Sequence, residues 1–484
     1  MPAGKEEYSL KKSLVPATVR LPSNPLQKAI LTLQARNQVF ASDENRVRTY
    51  RLDVYGCQMN ERDAETCAGL LDEMGFVQVG AREPADLILF VTCCVRENAE
   101  DKIYGHIGAL SQECTDRGSY ILAGGCMMQQ AHVVEKIRKS YPQVKVIFGT
   151  HNIHRLPDLV LAFETGGKRV FEVWDGPGES AGLLPAHRMD PNRAWVAIAA
   201  GCDNFCTYCI VPHVRGRERS RPMEEVMAEI KELAASGTHE ITLLGQNVNS
   251  YGRDFGETDL FAALLREIEK VEGILRVRFM TSHPKDLSDG LINAMRDCRK
   301  VCTHLHLPVQ SGSSRVLARM NRKYTREHYL ELVDRIRAEM PGIALSTDLI
   351  VGFPGETEED FEDTVHLVEQ VGFDFAFLFL YSPRKGTPAA SYPDQVPAAV
   401  ASARFQRLLK MQTERATDKA KLHEGQVLEV LAEGRSKEDE TMFAGRTSGN
   451  RLVNFTAPFD PSGRLVPVRI VRAGAFWLLG EVAE

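Results

Sequence analysis

The chain has 484 residues, 43% of them hydrophobic and 26% charged, which suits two to four folded domains and excludes a fibrous or disordered chain. Its 59 Lys and Arg against 65 Asp and Glu leave a net charge of −6, excluding nucleic-acid binding by bulk charge but not by a local basic patch. No apolar run approaches the ~20 residues that cross a bilayer, and the first forty residues carry no secretion signal, so a cytoplasmic protein is expected.

Residues 1–48 show no clean period and read as a loosely ordered extension, with room for a short helix around 26–33. Residues 49–173 alternate strands (50–54, 87–91, 121–123, 144–148) with helices such as 63–74, which Gly75 stops. That pattern predicts an α/β domain with a parallel sheet. Residues 174–192, rich in Gly, Pro and polar side chains, predict a linker. From 193 to 420, six strand–helix units predict a partial (β/α)6 TIM-like barrel, with strands at 195–199, 241–244, 277–280, 305–307, 344–350 and 375–380. Its working face would be the strand C-terminal ends. Short alternating strands with Gly turns over 421–484 predict a small β-barrel or sandwich.

The eleven cysteines, an odd number, favour metal or redox chemistry over a disulfide framework. GCDNFCTYC places Cys202, Cys206 and Cys209 in a C-x3-C-x2-C loop just after a strand. Three thiolates this close can curl around one inorganic cube. Such a cluster normally takes four, so one iron is left open for chemistry. His213 would instead complete a zinc site, the plainer alternative. In the first domain Cys57 (YGCQMN), Cys93 (VTCCVRENA) and Cys126 (AGGCMMQQ) each follow a different parallel strand and converge on the sheet edge where ligands sit. Gly56, Gly124 and Gly125 beside them let backbone approach a bulky ligand. This favours a second cluster over three small buried hydrophobes. Cys67 shares a helical face with Leu70, Leu71 and Met74 and reads as core. Cys114, Cys298 and Cys302 read as structural, and Cys94 competes with Cys93 for one role.

Further strand ends carry LLGQNVNSY (Gln246, Asn247, Asn249), HLPVQSGS (His306, Gln310, Ser311) and TDLIVGFPGET (Asp348, Gly352), all placed to face one barrel mouth. With Tyr208 just before the last cysteine, the C-x3-C-x2-C loop and these motifs resemble the radical S-adenosylmethionine (SAM) superfamily. The resemblance implies that the open iron chelates SAM, which on reduction gives methionine and a 5′-deoxyadenosyl radical. It implies a SAM pocket of Tyr208, Gln246, Asn247, His306, Gln310, Ser311 and Asp348. GCQMN, TCCVRENA and GGC before such a core, with a small β domain after it, resemble the methylthiotransferase family from about residue 49 to the end. That likeness implies an auxiliary 4Fe-4S cluster on Cys57, Cys93 and Cys126 and a C-terminal RNA-binding TRAM barrel. GCQMN, CTYCIVPHVRGRERSR and LLGQNVNSY resemble the MiaB-type branch in particular. The implied reaction is methylthiolation of carbon 2 of N6-isopentenyladenosine beside the tRNA anticodon, using two SAM, two 4Fe-4S clusters and an external electron donor. The chain departs from the family by its extension before residue 49 and by Cys94, where Ser is usual.

Arg215, Arg217, Arg219 and Arg221 share a face if their segment is extended, and would contact RNA or act as a strap pairing with Glu218, Glu224 and Glu225. Arg435, Lys437, Arg446 and Arg451, near Phe443 and Phe455, form a candidate RNA surface in the last domain. A monomer is expected, and no general base is identified. The competing expectations are a sibling enzyme acting on threonylcarbamoyladenosine or on a ribosomal-protein aspartate, a radical SAM enzyme with one cluster, and a zinc-stabilised RNA-binding module.

Overall fold

In the computed structural model, residues 24–94, 97–176 and 184–483 are described. The first sheet is built from apolar runs too short for helices: β1 (Thr49–Val54), β2 (Val77–Gln78), β3 (Leu87–Thr92), β4 (Tyr120–Gly125), β5 (Val144–Phe148) and β6 (Val170–Glu172). They lie in the order β2-β1-β3-β4-β5-β6, and each neighbouring pair is parallel. Every residue of β3 and β4 is buried, as expected for a parallel sheet with helices on both faces.

The described part of the expected extension is not loose. Residues Asn24–Glu44 form a 21-residue helix. Leu26, Ile30 and Leu33 make one apolar stripe, buried in the same core as Leu70 and Leu159. Asn37 Nδ2 donates to Met74 O at 2.8 Å, tying the helix to the end of the next one. Residues 1–23 of that expectation lie outside the described residues.

The expected linker differs in the same way over 184–192. His187 N donates to Glu65 O at 2.9 Å, and Arg188 bridges Glu65 and Glu229, each at 2.7 Å. The segment lies flat because Gly69 has no side chain: a Cβ there would stand 2.7 Å from Ala186 N. Residues 177–183 lie outside the described residues.

The central domain follows with β7 (Arg193–Ala197), β8 (Ala199–Ala200), β9 (Arg219–Ser220), β10 (Glu240–Leu244), β11 (Arg276–Phe279), β12 (His304–His306), β13 (Ala344–Val351) and β14 (Phe375–Leu380). Parallel sheets β7-β10-β11 and β12-β13-β14 meet where Val277 N donates to Lys300 O (2.7 Å) and Cys302 N to Val277 O (2.9 Å). Six parallel strands thus curve into the expected partial barrel. Ile241, Leu243, Val277, Phe279, Leu305 and Leu345 face the helices. Alternate positions turn inward, so Trp195, Thr242, Arg278, His304, His306, Ser346 and Asp348 line a polar lumen.

Strands β15 (Val427–Arg435), β16 (Phe443–Thr447), β17 (Leu452–Thr456), β18 (Leu465–Ala473) and β19 (Trp477–Val482) close into a barrel in the order β15-β16-β17-β19-β18, which decides between barrel and sandwich. This barrel caps the N-terminal ends of the central strands. Arg278 Nη2 donates to Thr447 O at 2.9 Å, Arg276 to Glu429 O at 3.0 Å, and Arg451 pairs with Asp374 at 3.1 Å. The strand C-terminal ends are left to the cysteine loop.

Candidate active site at two thiol clusters

The antiparallel pair β8–β9 pinches the loop from Gly201 to Glu218 shut at its base. Gly201, with φ +81°, makes the first turn possible, because a Cβ there would collide with Arg217 O at 2.0 Å. Gly201 N donates to Gln246 Oε1 at 2.6 Å, fastening the loop to the end of β10. From the other half of the barrel, Thr207 Oγ1 donates to Arg319 O (2.9 Å) and Asn321 Nδ2 to Phe205 O (2.9 Å). Tyr208 packs against Val316, Met320, Phe353 and Ala389, which fixes the strand-end side of Cys209.

Burial, reinforced by neighbouring thiols, pushes Cys202 up to about 11 and Cys209 up to about 12. Arg322 is the counter-charge. It is 5% exposed, with Nη1 3.6 Å from Cys206 Sγ, Nη2 2.7 Å from Pro308 O and Nε 2.9 Å from Tyr324 Oη. Among the described residues no three His, Cys, Asp or Glu side chains are drawn together tightly enough to hold one metal ion, and His213 is exposed. The buried Arg322 beside Cys206 offers a counter-charge for an anionic cluster on this loop.

The strand ends bring most of the expected pocket residues to the same mouth. His306 Nδ1 and His304 Nε2 both meet Ser346 Oγ, at 2.9 and 2.8 Å, and His306 Nε2 lies 3.6 Å from Asp348 Oδ1. Burial pushes His304 down to about 3, so it is neutral at pH 7. Gln310 takes φ +73° while its backbone bonds Asp348 O and Ile350 N. Ser311 is a correction. It is 1% exposed, and its Oγ accepts from Ser313 N and meets Thr364 Oγ1, so it serves the helix Glu358–Val371 rather than the mouth. Sequence reasoning missed Arg322 and the end of β11. There Ser282 Oγ and His283 Nε2, with Asn247 Oδ1 beside them, are buried without hydrogen-bond partners, as atoms awaiting a polar ligand would be. The strand-end rule used for the other motifs would have found MTSHP.

In the first domain Cys57 sits at the N-terminus of the helix Gln58–Glu73, Cys93 just past β3, and Cys126 just past β4. The backbone is pared to glycine between them. A Cβ on Gly56 would stand 2.4 Å from Cys93 Cβ, and one on Gly125 (φ +96°) 2.5 Å from Thr92 O. Asn60 Nδ2 donates to Tyr55 O (2.8 Å) and Thr92 O (3.0 Å), holding the first two cysteine turns together. Cys94 hydrogen-bonds to Cys126, an interaction that holds the Cys126 thiol low and pushes Cys94 well up. Arg215 completes the site. It is buried, with Nε 3.2 Å from Cys126 Sγ and Nη2 2.9 Å from Asn60 Oδ1 and 2.7 Å from Asp63 Oδ2. Arg215 stands one short helix (Val211–Arg215) beyond Cys209, and a rise of ~1.5 Å per residue puts only about 9 Å of axis between the two.

Each cysteine group is met by a buried arginine, and the short helix Val211–Arg215 links the Cys209 loop to the arginine on Cys126. A family model described as the radical SAM superfamily matches residues 196–368. Models described as uncharacterized protein family UPF0004 and TRAM domain match 49–149 and 421–483. The tRNA-2-methylthio-N(6)-dimethylallyladenosine synthase of Acetivibrio thermocellus is 52% identical over 438 residues, covering 90% of this chain and 91% of that one. Its counterpart in Clostridium tetani is 50% identical over 441 residues, covering 91% and 97%. The chain belongs to the tRNA-2-methylthio-N(6)-dimethylallyladenosine synthase family. Among solved structures, the radical S-adenosylmethionine methyltransferase TsrM from Kitasatospora setae, with cobalamin and a 4Fe-4S cluster bound, has a TM-score of 0.52 at 15% identity, covering 71% of this chain and 74% of that one. At that identity the likeness is one of fold.

The arginines expected on RNA divide sharply. Arg215 is corrected to a buried partner of Cys126 and Asp63, out of reach of RNA. Arg221 is corrected to a strap, since Nη1 bonds Ala197 O (2.6 Å) and Glu229 Oε2 (2.7 Å). The strap partner is Glu229 rather than Glu218, Glu224 or Glu225. Arg451 is 4% exposed, pairs with Asp374 and covers the Phe375 ring, so it fastens the small barrel to the core. Arg217 is exposed, pairs with Asp203 and lies over the exposed Phe205 ring at 5.3 Å. Arg219 is half-buried, and burial lowers its pKa. Arg446 pairs with Glu433 at 3.3 Å. With Arg435, Lys437, Trp195, Thr242 and Glu61 it lines a cleft of about 650 Å³ where the three domains meet. Phe443 and Phe455 lie inside the barrel at 2% and 0% exposure. The aromatic surface of this domain is instead Phe476 and Trp477, with Arg472 5.8 Å over the Trp477 ring and Arg469 exposed on the same strand.

Proposed function

We propose that this chain methylthiolates carbon 2 of N6-isopentenyladenosine beside the tRNA anticodon, with SAM and two 4Fe-4S clusters as cofactors. The observation that carries the reading is the pair of thiol trios joined through Arg215, in a chain of this family. Cys202, Cys206 and Cys209 would hold the SAM-binding cluster, and Cys57, Cys93 and Cys126 the auxiliary one. Bound clusters and SAM supply the radical and electron-transfer chemistry that a ring C–H bond demands and that ordinary side chains lack.

The protein's own residues bind, orient and shield. Arg322 neutralises charge at the first trio, and Arg215 at the second. Tyr208, Gln246, Asn247, His306, Gln310 and Asp348 line the SAM pocket, with the unpaired His283 Nε2 and Ser282 Oγ available to its polar groups. The polar lumen, with Trp195 and Phe377, receives the base. Phe377 is 50% exposed, its ring centroid 5.9 Å from that of His306, and offers an apolar face for the isopentenyl tail. RNA lies along Arg217 and Arg219 and the Arg469–Arg472–Trp477 face, where arginine and aromatic surface suit an unpaired loop. No described helix is long and apolar enough to cross a membrane. The working state belonging to this reading is a cytoplasmic monomer fed by an external electron donor.

The test is anaerobic incubation of the reconstituted chain with SAM, a strong reductant and isopentenylated tRNA, followed by nucleoside mass analysis. Methylthio-isopentenyladenosine is the expected product. Unchanged nucleoside from protein holding both clusters, or modification of threonylcarbamoyladenosine instead, refutes it.

A further inference from the structure

The auxiliary trio belongs to the first domain, yet a guanidinium touching its sulfur comes from the central domain. Arg215 is 6% exposed. Asp63 alone would answer its charge, at 2.7 Å from Nη2, but Nε points separately at Cys126 Sγ, 3.2 Å away. That is the use of a fork with several fixed donors, which a lysine cannot copy. Asn60 Oδ1, which accepts from Arg215 Nη2 at 2.9 Å, also lies 3.7 Å from that sulfur, so one guanidinium is tied to the ligand, to its neighbour and to Asp63 at once. None of this was visible in the spacing of the cysteines.

We propose that Arg215 is a positioning residue of the auxiliary 4Fe-4S centre: it donates to the Cys126 ligand sulfur, raising the reduction potential of that centre and holding it in register with the SAM-binding loop six residues upstream. The inference rests on the two-cluster reading above. Hydrogen bonds and positive charge at ligand sulfurs stabilise the reduced cluster, so the sign of the effect is fixed.

The experiment uses the full chain carrying C202A, C206A and C209A, so that only the auxiliary centre remains. Iron content and an EPR-monitored redox titration are compared for this parent and for added R215M, R215K or D63N. R215M should shift the midpoint to more negative potential and R215K should shift it less in the same direction. D63N, which removes a neighbouring anion, should shift it to more positive potential. A purely structural arginine would not give opposite signs for R215M and D63N. If R215M holds no iron or fails to fold, the opposite signs of R215K and D63N decide. Unmoved midpoints in R215K and D63N overturn it. A parent without iron would instead sink the two-cluster reading.

Discussion

Glu229 holds the two thiol sites at a fixed spacing, and its removal should be measurable. This carboxylate, 5% exposed on the helix Met223–Ala235, receives Arg62 of the first domain at 3.2 Å, Arg188 of the connecting segment at 2.7 Å and Arg221 of the strap at 2.7 Å. Burial opposes its charge, but the three guanidiniums win and hold its pKa down to about 2 from 4.5. At ~1.4 kcal/mol per unit, that displacement is worth about 3 kcal/mol, in line with the ~3–5 kcal/mol lost when a buried pair is broken. E229Q keeps the shape and removes the charge. Its cost should appear in urea unfolding of the whole chain as a midpoint lower by about 1 M, at a slope of ~3 kcal/mol per M. The three tryptophans are well placed to read it, because Trp174, Trp195 and Trp477 fall one to a domain. The first two should move and Trp477 should lag.

The sign of the pH dependence follows from the depressed pKa. The contribution is fully present above the unfolded value near 4.5 and drains away as pH falls towards 2. The gap between parent and E229Q should therefore be flat above about pH 5 and narrow below it. A midpoint within about 0.2 M of the parent at pH 7, or a gap indifferent to pH between 5 and 3, would show that the three arginines are satisfied elsewhere and the hub holds nothing.

Alanine at Cys57, Cys93 and Cys126 together should halve bound iron and abolish methylthiolation while reductive SAM cleavage continues. Alanine at Cys202, Cys206 and Cys209 should end cleavage itself, as liquid chromatography of 5′-deoxyadenosine would record. W477A should weaken tRNA binding by on the order of tenfold through lost stacking, and R472A should reduce the salt slope by about 1, both read by fluorescence anisotropy. F455A, inside the barrel, should instead cost about 3–5 kcal/mol of stability in that domain, seen as a lowered Trp477 transition. R451A should also act on stability, leaving Asp374 without its partner, and should leave the salt slope unchanged.

Strand and helix order was legible in the chain itself, as was the placement of each proposed ligand cysteine just past a strand. Each depends on neighbours close in sequence: a period of two or 3.6, a glycine that ends an element, a thiol just past a strand. The expectation that Phe443 and Arg446 share one RNA surface overlooked parity: residues three apart on a strand point to opposite faces, and Phe443 turns into the barrel. Partnership of charges is a different kind of property. Arg215, Arg217, Arg219 and Arg221 look alike in the sequence, yet one reaches a thiol in another domain, one lies exposed over Phe205, one is half-buried, and one straps Glu229. Which guanidinium meets which acid depends on contacts made across more than a hundred residues (Arg215 with Asp63, Arg62 with Glu229) that no local pattern encodes. The helix Asn24–Glu44 was hidden for a related reason. Its apolar stripe is narrow and becomes meaningful only once the sheet presents Leu70 and Leu159 to receive it. Local periodicity thus determined the elements and pointed to the candidate ligands, while burial and long-range ion pairing, decided only by the packed molecule, assigned the charged residues their partners.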